Sequence, residues 1–252
     1  MPLSEPVTDG HRRRNQQTFA NLIEDDDEHY RWQKEKIALI QSVLYSLKLS
    51  GALADVGCFT GRATKLYRDT GFFRAVGFDA APEVLARAEA LGIEPRIWRA
   101  GIEDCPAKNE EFNAFIAADV IEHIVDTDWF VQELRRVLHP EGRLIITTPN
   151  LAFWMSRLRL LIGKTPWSYP GASPTVKVDE MIDLNHIRVT TRREWEALFR
   201  DKNFEVERVH GWSILHAIKG GLAVQARQTI DRLMTKSPDL AFGLLFVLRK
   251  KY

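Results

Sequence analysis

Cysteine is scarce in this chain, with two in 252 residues, Cys58 and Cys105. They lie in separate segments without metal-ligand spacing, so neither a disulfide framework nor a metal site built on them is expected. A reducing, cytoplasmic setting is the default expectation. No apolar run reaches the roughly 20 residues that a spanning helix needs. The last such run, Leu240 to Leu248, is too short and reads as a buried strand. The opening stretch MPLSEPVTDGHRRRN lacks the apolar segment of a secretory signal. An excess of one charge is missing too. Lys plus Arg number 35 and Asp plus Glu 34, for a formal net charge of +1. Nothing global therefore points to nucleic acid, whose binders carry a basic excess. No internal repeat is present. What remains is a globular composition, 45% hydrophobic and 27% charged, consistent with one soluble α/β domain.

The polar stretch 1 to about 18, with Arg12-Arg13-Arg14, reads as a tail. From Tyr30 to Leu49 apolar residues recur at helical spacing at Ile37, Ile40, Val43, Leu44 and Leu47. The pattern then changes to short apolar runs, each followed by a helical stretch. Ala52 to Val56 is a strand closed by Gly57, and Arg62 to Asp69 a helix. Phe73 to Phe78 is a strand ending at Asp79, and Pro82 opens a helix running to Leu91. Pro95 to Ala100 is a weaker strand, and Phe112 to Ala118 a strong one. Phe130, Val131, Leu134, Val137 and Leu138 form one helical stripe. His139 to Gly142 is a turn, and Arg143 to Thr148 a β-branched strand stopped by Pro149. Leu151 to Gly163 reads as a helix and Thr165 to Val178 as a loop. Thr191 and Glu194 form a capping box for a helix through Phe199. Val206 and Val209 lie in a strand leading to Gly211-Trp212.

Strands alternating with helices predict a doubly wound, mostly parallel sheet of seven strands with a helical insertion after strand five. Four stretches follow: a tail and cap over 1–35, a core over 36–150, an insertion or substrate lid over 151–190, and 191–252 continuing the same sheet. In such a sheet the ligand crevice lies at the carboxyl ends of the strands. Asp55-Val56-Gly57-Cys58-Phe59-Thr60-Gly61 occupies the first such end. Its glycines allow a sharp turn and close approach of a ligand to the backbone. Asp79 ends the next strand, where a carboxylate can accept two ribose hydroxyls. Gly101-Ile102-Glu103-Asp104 follows the third. A nicotinamide dehydrogenase shares the ribose carboxylate, but G-x-G-x-x-G is absent.

The segment LADVGCFTGRATKLYRDTGFFRAVGFDAAPEVLARAEALGI resembles the first two motifs of class I S-adenosylmethionine-dependent methyltransferases. FNAFIAADVIEHIVDTDWFVQELRRVLHPEGRLIITTPN resembles their fourth and fifth strands. The resemblance covers roughly residues 50 to 150 and implies a Rossmann-like methyltransferase fold. It also implies S-adenosylmethionine as methyl donor and S-adenosylhomocysteine as product. By carry-over, Asp55 and Gly57 face the amino-acid end of the cofactor and Gly61 shapes the turn. Asp79 holds the ribose with Ala80 beside it, Ile102 and the Glu103 backbone meet the adenine, and Asp119 and Val120 line the pocket. Two departures stand out. Phe59 occupies the place of the family's middle glycine, and Gly101 that of a frequent acidic residue.

Asp119-Val120-Ile121-Glu122-His123 is similar to motifs of metal-dependent methyltransferases acting on quinone precursors, and to the E-x-x-E-H motif of RNA 2′-O-methyltransferases. If the segment is helical, Asp119, Glu122 and His123 share a face. Asp119 breaks the full carboxylate pattern, so no metal is expected. His123 is then a pocket residue or a general base. His186, in Asp183-Leu184-Asn185-His186-Ile187-Arg188, is the other candidate base. FWMSRLRLLIGKTPW resembles an insertion of bacterial methyltransferases associated with surface polysaccharides. Its Trp154, Arg157, Arg159, Lys164 and Trp167 suit a lid or an interfacial helix, so peripheral membrane contact stays open. His29-Tyr30-Arg31-Trp32 is similar to an aromatic cap over the cofactor. The expected function is methyl transfer to an oxygen of a small molecule, saccharide or lipid-linked glycan. The alternatives are a metal-dependent RNA 2′-O- or quinone-precursor methyltransferase, or a non-catalytic S-adenosylmethionine-binding protein. Oligomeric state is not legible.

Overall fold

In the computed structural model, which describes residues 26–169, 185–218 and 220–252, a seven-stranded sheet forms the centre with helices on both faces. The chain runs α1 (Asp26–Leu47), β1 (Ala52–Val56), α2 (Arg62–Arg68), β2 (Arg74–Asp79), α3 (Pro82–Ala90), β3 (Glu94–Ile97) and β4 (Phe112–Ala118). It continues with α4 (Thr127–Val137), β5 (Leu138–Pro149), α5 (Trp154–Leu161), α6 (Arg192–Asp201), β6 (Phe204–Trp212), α7 (Leu222–Met234) and β7 (Gly243–Lys250). The strand order is β3-β2-β1-β4-β5-β7-β6. The first five strands are parallel, whereas β7 runs antiparallel to both β5 and β6.

Parallel strands covered on both faces should be apolar throughout, and all five residues of β1 are buried. Because successive side chains point to opposite faces, the core divides in two. Ala52, Ala54 and Val56 pack with Phe130, Val131 and Leu134 of α4 and with Trp195 and Phe199 of α6. Leu53 packs on the other face with Ile37, Ile40 and Leu44 of α1, Tyr67 of α2 and Ala88 of α3. The Thr191–Glu194 capping box forms as expected, with Glu194 accepting from the Thr191 N–H at 3.2 Å. No described helix is long and apolar enough to cross a membrane.

Several expectations need correction. The turn placed at His139–Gly142 is instead part of β5, where the register with β4 jumps from Phe112 opposite Leu138 to Ala114 opposite Arg143. Residues 119–123 are not an α-helix. Asp119 has φ 55°, and only Ile121–His123 form a single 3₁₀ turn, so Asp119 does not share a helical face with Glu122 and His123. α1 passes unbroken through the division drawn at residue 35. A second helical excursion, α7 between β6 and β7, was not foreseen. The tail, His29 of the expected cap, and most of the loop after Thr165 lie outside the residues whose side chains are described.

Candidate functional site

The carboxyl ends of β1, β2 and β4 meet in one crevice, as β1 pairs with both of its neighbours. The turn after β1 owes its shape to three left-handed residues, Gly57 (φ 69°), Phe59 (φ 51°) and Gly61 (φ 76°). Gly61 is required by packing. A Cβ there would stand 2.7 Å from the Cβ of Ala88, so glycine lets α2 approach α3. Gly57 is exposed at the floor of the crevice. Phe59 holds the left-handed conformation despite its Cβ, at a cost of about 1–2 kcal/mol. Its N–H donates to Asp79 Oδ2 at 3.1 Å, which couples the first turn to the end of β2.

Asp79 also accepts at Oδ1 from the Ala81 N–H at 3.0 Å. Burial raises its carboxyl above the ordinary range, opposed by the N–H groups of Ala81, Phe59 and Ala80. A carboxylate offers about four lone-pair positions, so acceptor capacity is left for a ligand diol. Asp55 sits deeper. Its Oδ2 accepts from Thr64 Oγ1 at 2.6 Å, tying β1 to α2. Burial pushes its carboxyl to about 7, opposed by the Thr64 hydroxyl and the Lys36 ammonium. Ile102 is exposed, and Glu103 pairs with Arg99 at 2.6 Å while its backbone carbonyl accepts from Trp98 Nε1 at 2.8 Å. Val120 lies beside Gly57.

Asp119 ends β4 in a strained left-handed conformation, a feature that clusters at functional positions. Its carboxylate accepts from Thr147 Oγ1 at 2.6 Å and pairs with Lys36 Nζ at 2.5 Å. Burial would raise this carboxyl, but the Lys36 charge, the hydrogen bonds from Lys36 and Thr147, and nearby His186 hold it below its ordinary value. Lys36 is itself buried and lies 5.3 Å from the Trp212 ring centroid.

Beyond Asp119 the two histidines meet, with ring centroids 5.0 Å apart. His123 Nδ1 lies 2.8 Å from the Asn185 carbonyl oxygen, and His186 Nδ1 lies 2.8 Å from that of Ser168. A carbonyl only accepts, so each Nδ1 carries a proton and donates it. The loop reaches this place because the backbone carbonyl of Glu122 accepts from the N–H groups of Ile187 and Arg188 at 2.9 and 3.0 Å. Glu122 is fully buried, and neither carboxyl oxygen makes a hydrogen bond of normal geometry, although the Thr148 hydroxyl is near. Burial, and then the neighbouring Asp119 charge, raise its carboxyl well above the ordinary carboxylate value. Glu122, His123 and His186 each bring a ligand atom within 4.8 Å of the others. The cluster thus contains His186 rather than Asp119, whose carboxylate is engaged by Lys36.

Residues 54–146 match the methyltransferase domain family. A probable S-adenosylmethionine-dependent methyltransferase of Mycolicibacterium smegmatis is 25% identical over 190 residues, covering 73% of this chain and 65% of that one. The mitochondrial ubiquinone biosynthesis O-methyltransferase of Bos taurus is 32% identical over 111 residues, covering 40% of this chain and 30% of its own. A Haloferax volcanii putative methyltransferase, solved with the Trm112 activator, superposes with a TM-score of 0.67 at 16% identity, covering 93% of this chain and 98% of the other. Residues 54–146 thus carry a methyltransferase domain, set in a fold like that of the class I S-adenosylmethionine-dependent methyltransferases. It spans between 57% and 65% of the length of the first curated relatives it matches.

Reasoning from sequence missed one member of this methyltransferase's crevice, Lys36. A signal was there: positions 36, 40, 43 and 47 form one helical stripe, and Lys36 is the cation on a stripe otherwise made of Ile40, Val43 and Leu47. A charge on the inward stripe must find a partner, and that partner is Asp119. The aromatic cap is represented by Tyr30, over which the Arg62 guanidinium lies at 4.0 Å.

Proposed function

We propose that this methyltransferase moves the methyl group of S-adenosylmethionine to a hydroxyl oxygen of a small molecule, saccharide or lipid-linked glycan. Bound at the crevice, the cofactor would supply an electrophilic methyl on its sulfonium. Asp79 would accept the ribose hydroxyls, with Ala80 beside it. Gly57 would leave room for the amino-acid end above Asp55, while Ile102, Glu103 and Val120 would border the base and pocket. The paired charges of Lys36 and Asp119 match those of the cofactor's α-carboxylate and α-ammonium. The observation that carries the hydroxyl acceptor is the histidine pair at the end of β4, each ring held through Nδ1. A neutral imidazole can take a hydroxyl proton as general base. His186 sits on the loop and His123 on the core turn, so His186 is read as the base and His123 as its support. Much of the rate would come from aligning acceptor, methyl and sulfur.

A metal-assisted reaction is the second reading, favoured by the unpartnered Glu122 between two imidazoles. One feature weighs against it: Lys36 already neutralises Asp119, so that carboxylate is engaged. Calorimetry with S-adenosylhomocysteine, followed by transfer of labelled methyl to a panel of hydroxyl acceptors with and without chelator, tests both readings. Binding and chelator-resistant transfer are expected. Activity lost to chelator and restored by magnesium or zinc favours the second reading, and binding without any transfer favours a non-catalytic protein.

A further inference from the structure

Two helices at the carboxyl end of the sheet present apolar side chains to solvent. On α7 the residues Leu222, Ala226, Ile230 and Leu233 lie on one face at helical spacing, and all four are exposed, Leu222 by 84%. The opposite face carries Asp231, which is buried, and Gln228, whose amide donates to the carbonyls of Leu215 and Ile218. On α5 the buried residue is Ser156, whereas Leu158, Leu160 and Leu161 are exposed, Leu161 by 82%, and Ile162 follows them. An amphipathic helix of a globular protein puts its apolar side inward. α7 instead buries Asp231, α5 turns Ser156 inward beside Trp154 and Met155, and both present leucines outward.

The two helices belong to one surface. Trp154 Nε1 of α5 donates to Asp231 Oδ1 of α7 at 2.8 Å, and the Ser213 hydroxyl at the end of β6 donates to Asp231 Oδ2. α5 follows Pro149 of β5, and α7 lies between Trp212 of β6 and Gly243 of β7, where Gly243 pairs with both Trp212 and Pro149. Both helices therefore sit at the end of the sheet where β1, β2 and β4 form the crevice. The apolar face is framed by charge of one sign. Residues 154–164 and 220–236 contain six cations, Arg157, Arg159, Lys164, Arg227, Arg232 and Lys236, and one acid, the buried Asp231. The whole chain has a net charge of only +1.

We infer that this face docks on an anionic lipid bilayer, with the exposed leucines in the headgroup–acyl boundary and the arginines and lysines on lipid phosphates. The chemistry is that of an interfacial helix pair. Nucleic acid would use the cations but leave the leucines in water. A link to the crevice exists, because the segment after α5 includes Ser168, whose carbonyl accepts from His186. Resting on the methyl-transfer reading, the acceptor is then a hydroxyl carried by a lipid and drawn from the same bilayer.

The full chain, without cofactor, is sedimented with vesicles of phosphatidylcholine alone or mixed with phosphatidylglycerol. Binding to the mixed vesicles only, weakened by salt, is expected. Lys164→Ser, Arg227→Ser and Arg232→Ser together should lower partitioning on the order of 100-fold. Leu161→Ser with Leu222→Ser should lower it at least about 10-fold. Phe73→Ser, equally exposed at the other end of the sheet, should change nothing. Absence of vesicle binding by the wild type, equal loss in Phe73→Ser, preference for RNA over vesicles, or a dimer that the leucine substitutions dissolve would each overturn the inference. Each variant is also titrated with S-adenosylhomocysteine. Intact binding there with no vesicle binding removes the docking alone, and the converse removes the cofactor reading alone.

Discussion

The crevice has two unlike walls. On one side, β1 and β2 supply Gly57, Phe59 and Asp79, a site made of backbone N–H groups and a carboxylate joined over twenty residues of chain. On the other side, Asp119, Glu122, His123, His186 and Lys36 come together from positions 36 to 186, and one buried carboxyl has no hydrogen bond. The first wall suits a ligand of constant shape. The second is built from ionisable side chains that the fold brings together from distant parts of the sequence, an arrangement suited to acid–base work on an acceptor.

The largest expected effect falls on the acceptor wall. His186→Ala should reduce kcat by about 10²–10⁴ with little change in S-adenosylhomocysteine affinity, while His123→Ala is milder. The reverse ranking would make His123 the base and leave the loop a structural role. Lys36 joins the walls, so its loss should be felt in both stability and binding. Lys36→Met leaves Asp119 largely buried without its counter-ion, costing about 2–4 kcal/mol after allowing for the partial exposure of that carboxylate. Thermal unfolding should show the loss, and Asp119→Asn in the same chain should restore much of it. Failure of the second change to rescue would mean that the pair is not the source.

The cofactor wall should respond more gently. Asp55 is raised in the folded protein to about 7, so its stabilising contribution is full below the ordinary value near 4 and is lost as pH rises towards 7. Asp55→Asn keeps an acceptor for Thr64 and should shrink the stability difference between pH 5 and pH 8 by roughly 2–3 kcal/mol. Denaturant titrations at the two pH values measure this, and an unchanged difference would place the titration elsewhere. Asp79→Ala should weaken S-adenosylhomocysteine by about 1.5–3 kcal/mol, the size of a charge-assisted hydrogen bond. Unchanged calorimetric affinity in a folded variant would remove Asp79 from the ribose site and narrow the contrast between the walls.

The asymmetry recurs in how each wall could be read. The glycines, Asp79 and the strands around them are local patterns with fixed spacing, and the structure places them together as expected. Phe59 shows how local the code is, since the left-handed turn survives the exchange of its middle glycine. Residues 119–123 were misjudged because periodicity cannot register that Asp119 adopts φ 55° under the hold of Thr147 and Lys36. α7 was missed although Leu222, Ala226, Ile230 and Leu233 recur at helical spacing; what periodicity could not register is that this apolar face is the exposed one.

By itself, then, the sequence determined the alternation of strands and helices, the turn after β1 and the carboxylate at the end of β2. Each depends on residues a few positions apart and on the periods of 2 and 3.6 that backbone geometry imposes. Only the tertiary structure decided that Lys36 answers Asp119, that Glu122 is a buried carboxyl raised by its burial, that His123 and His186 face one another, and that α5 and α7 present leucines at the crevice end. Charge state and contact across a hundred or more residues follow from burial and proximity, and neither is a property of any short stretch of chain.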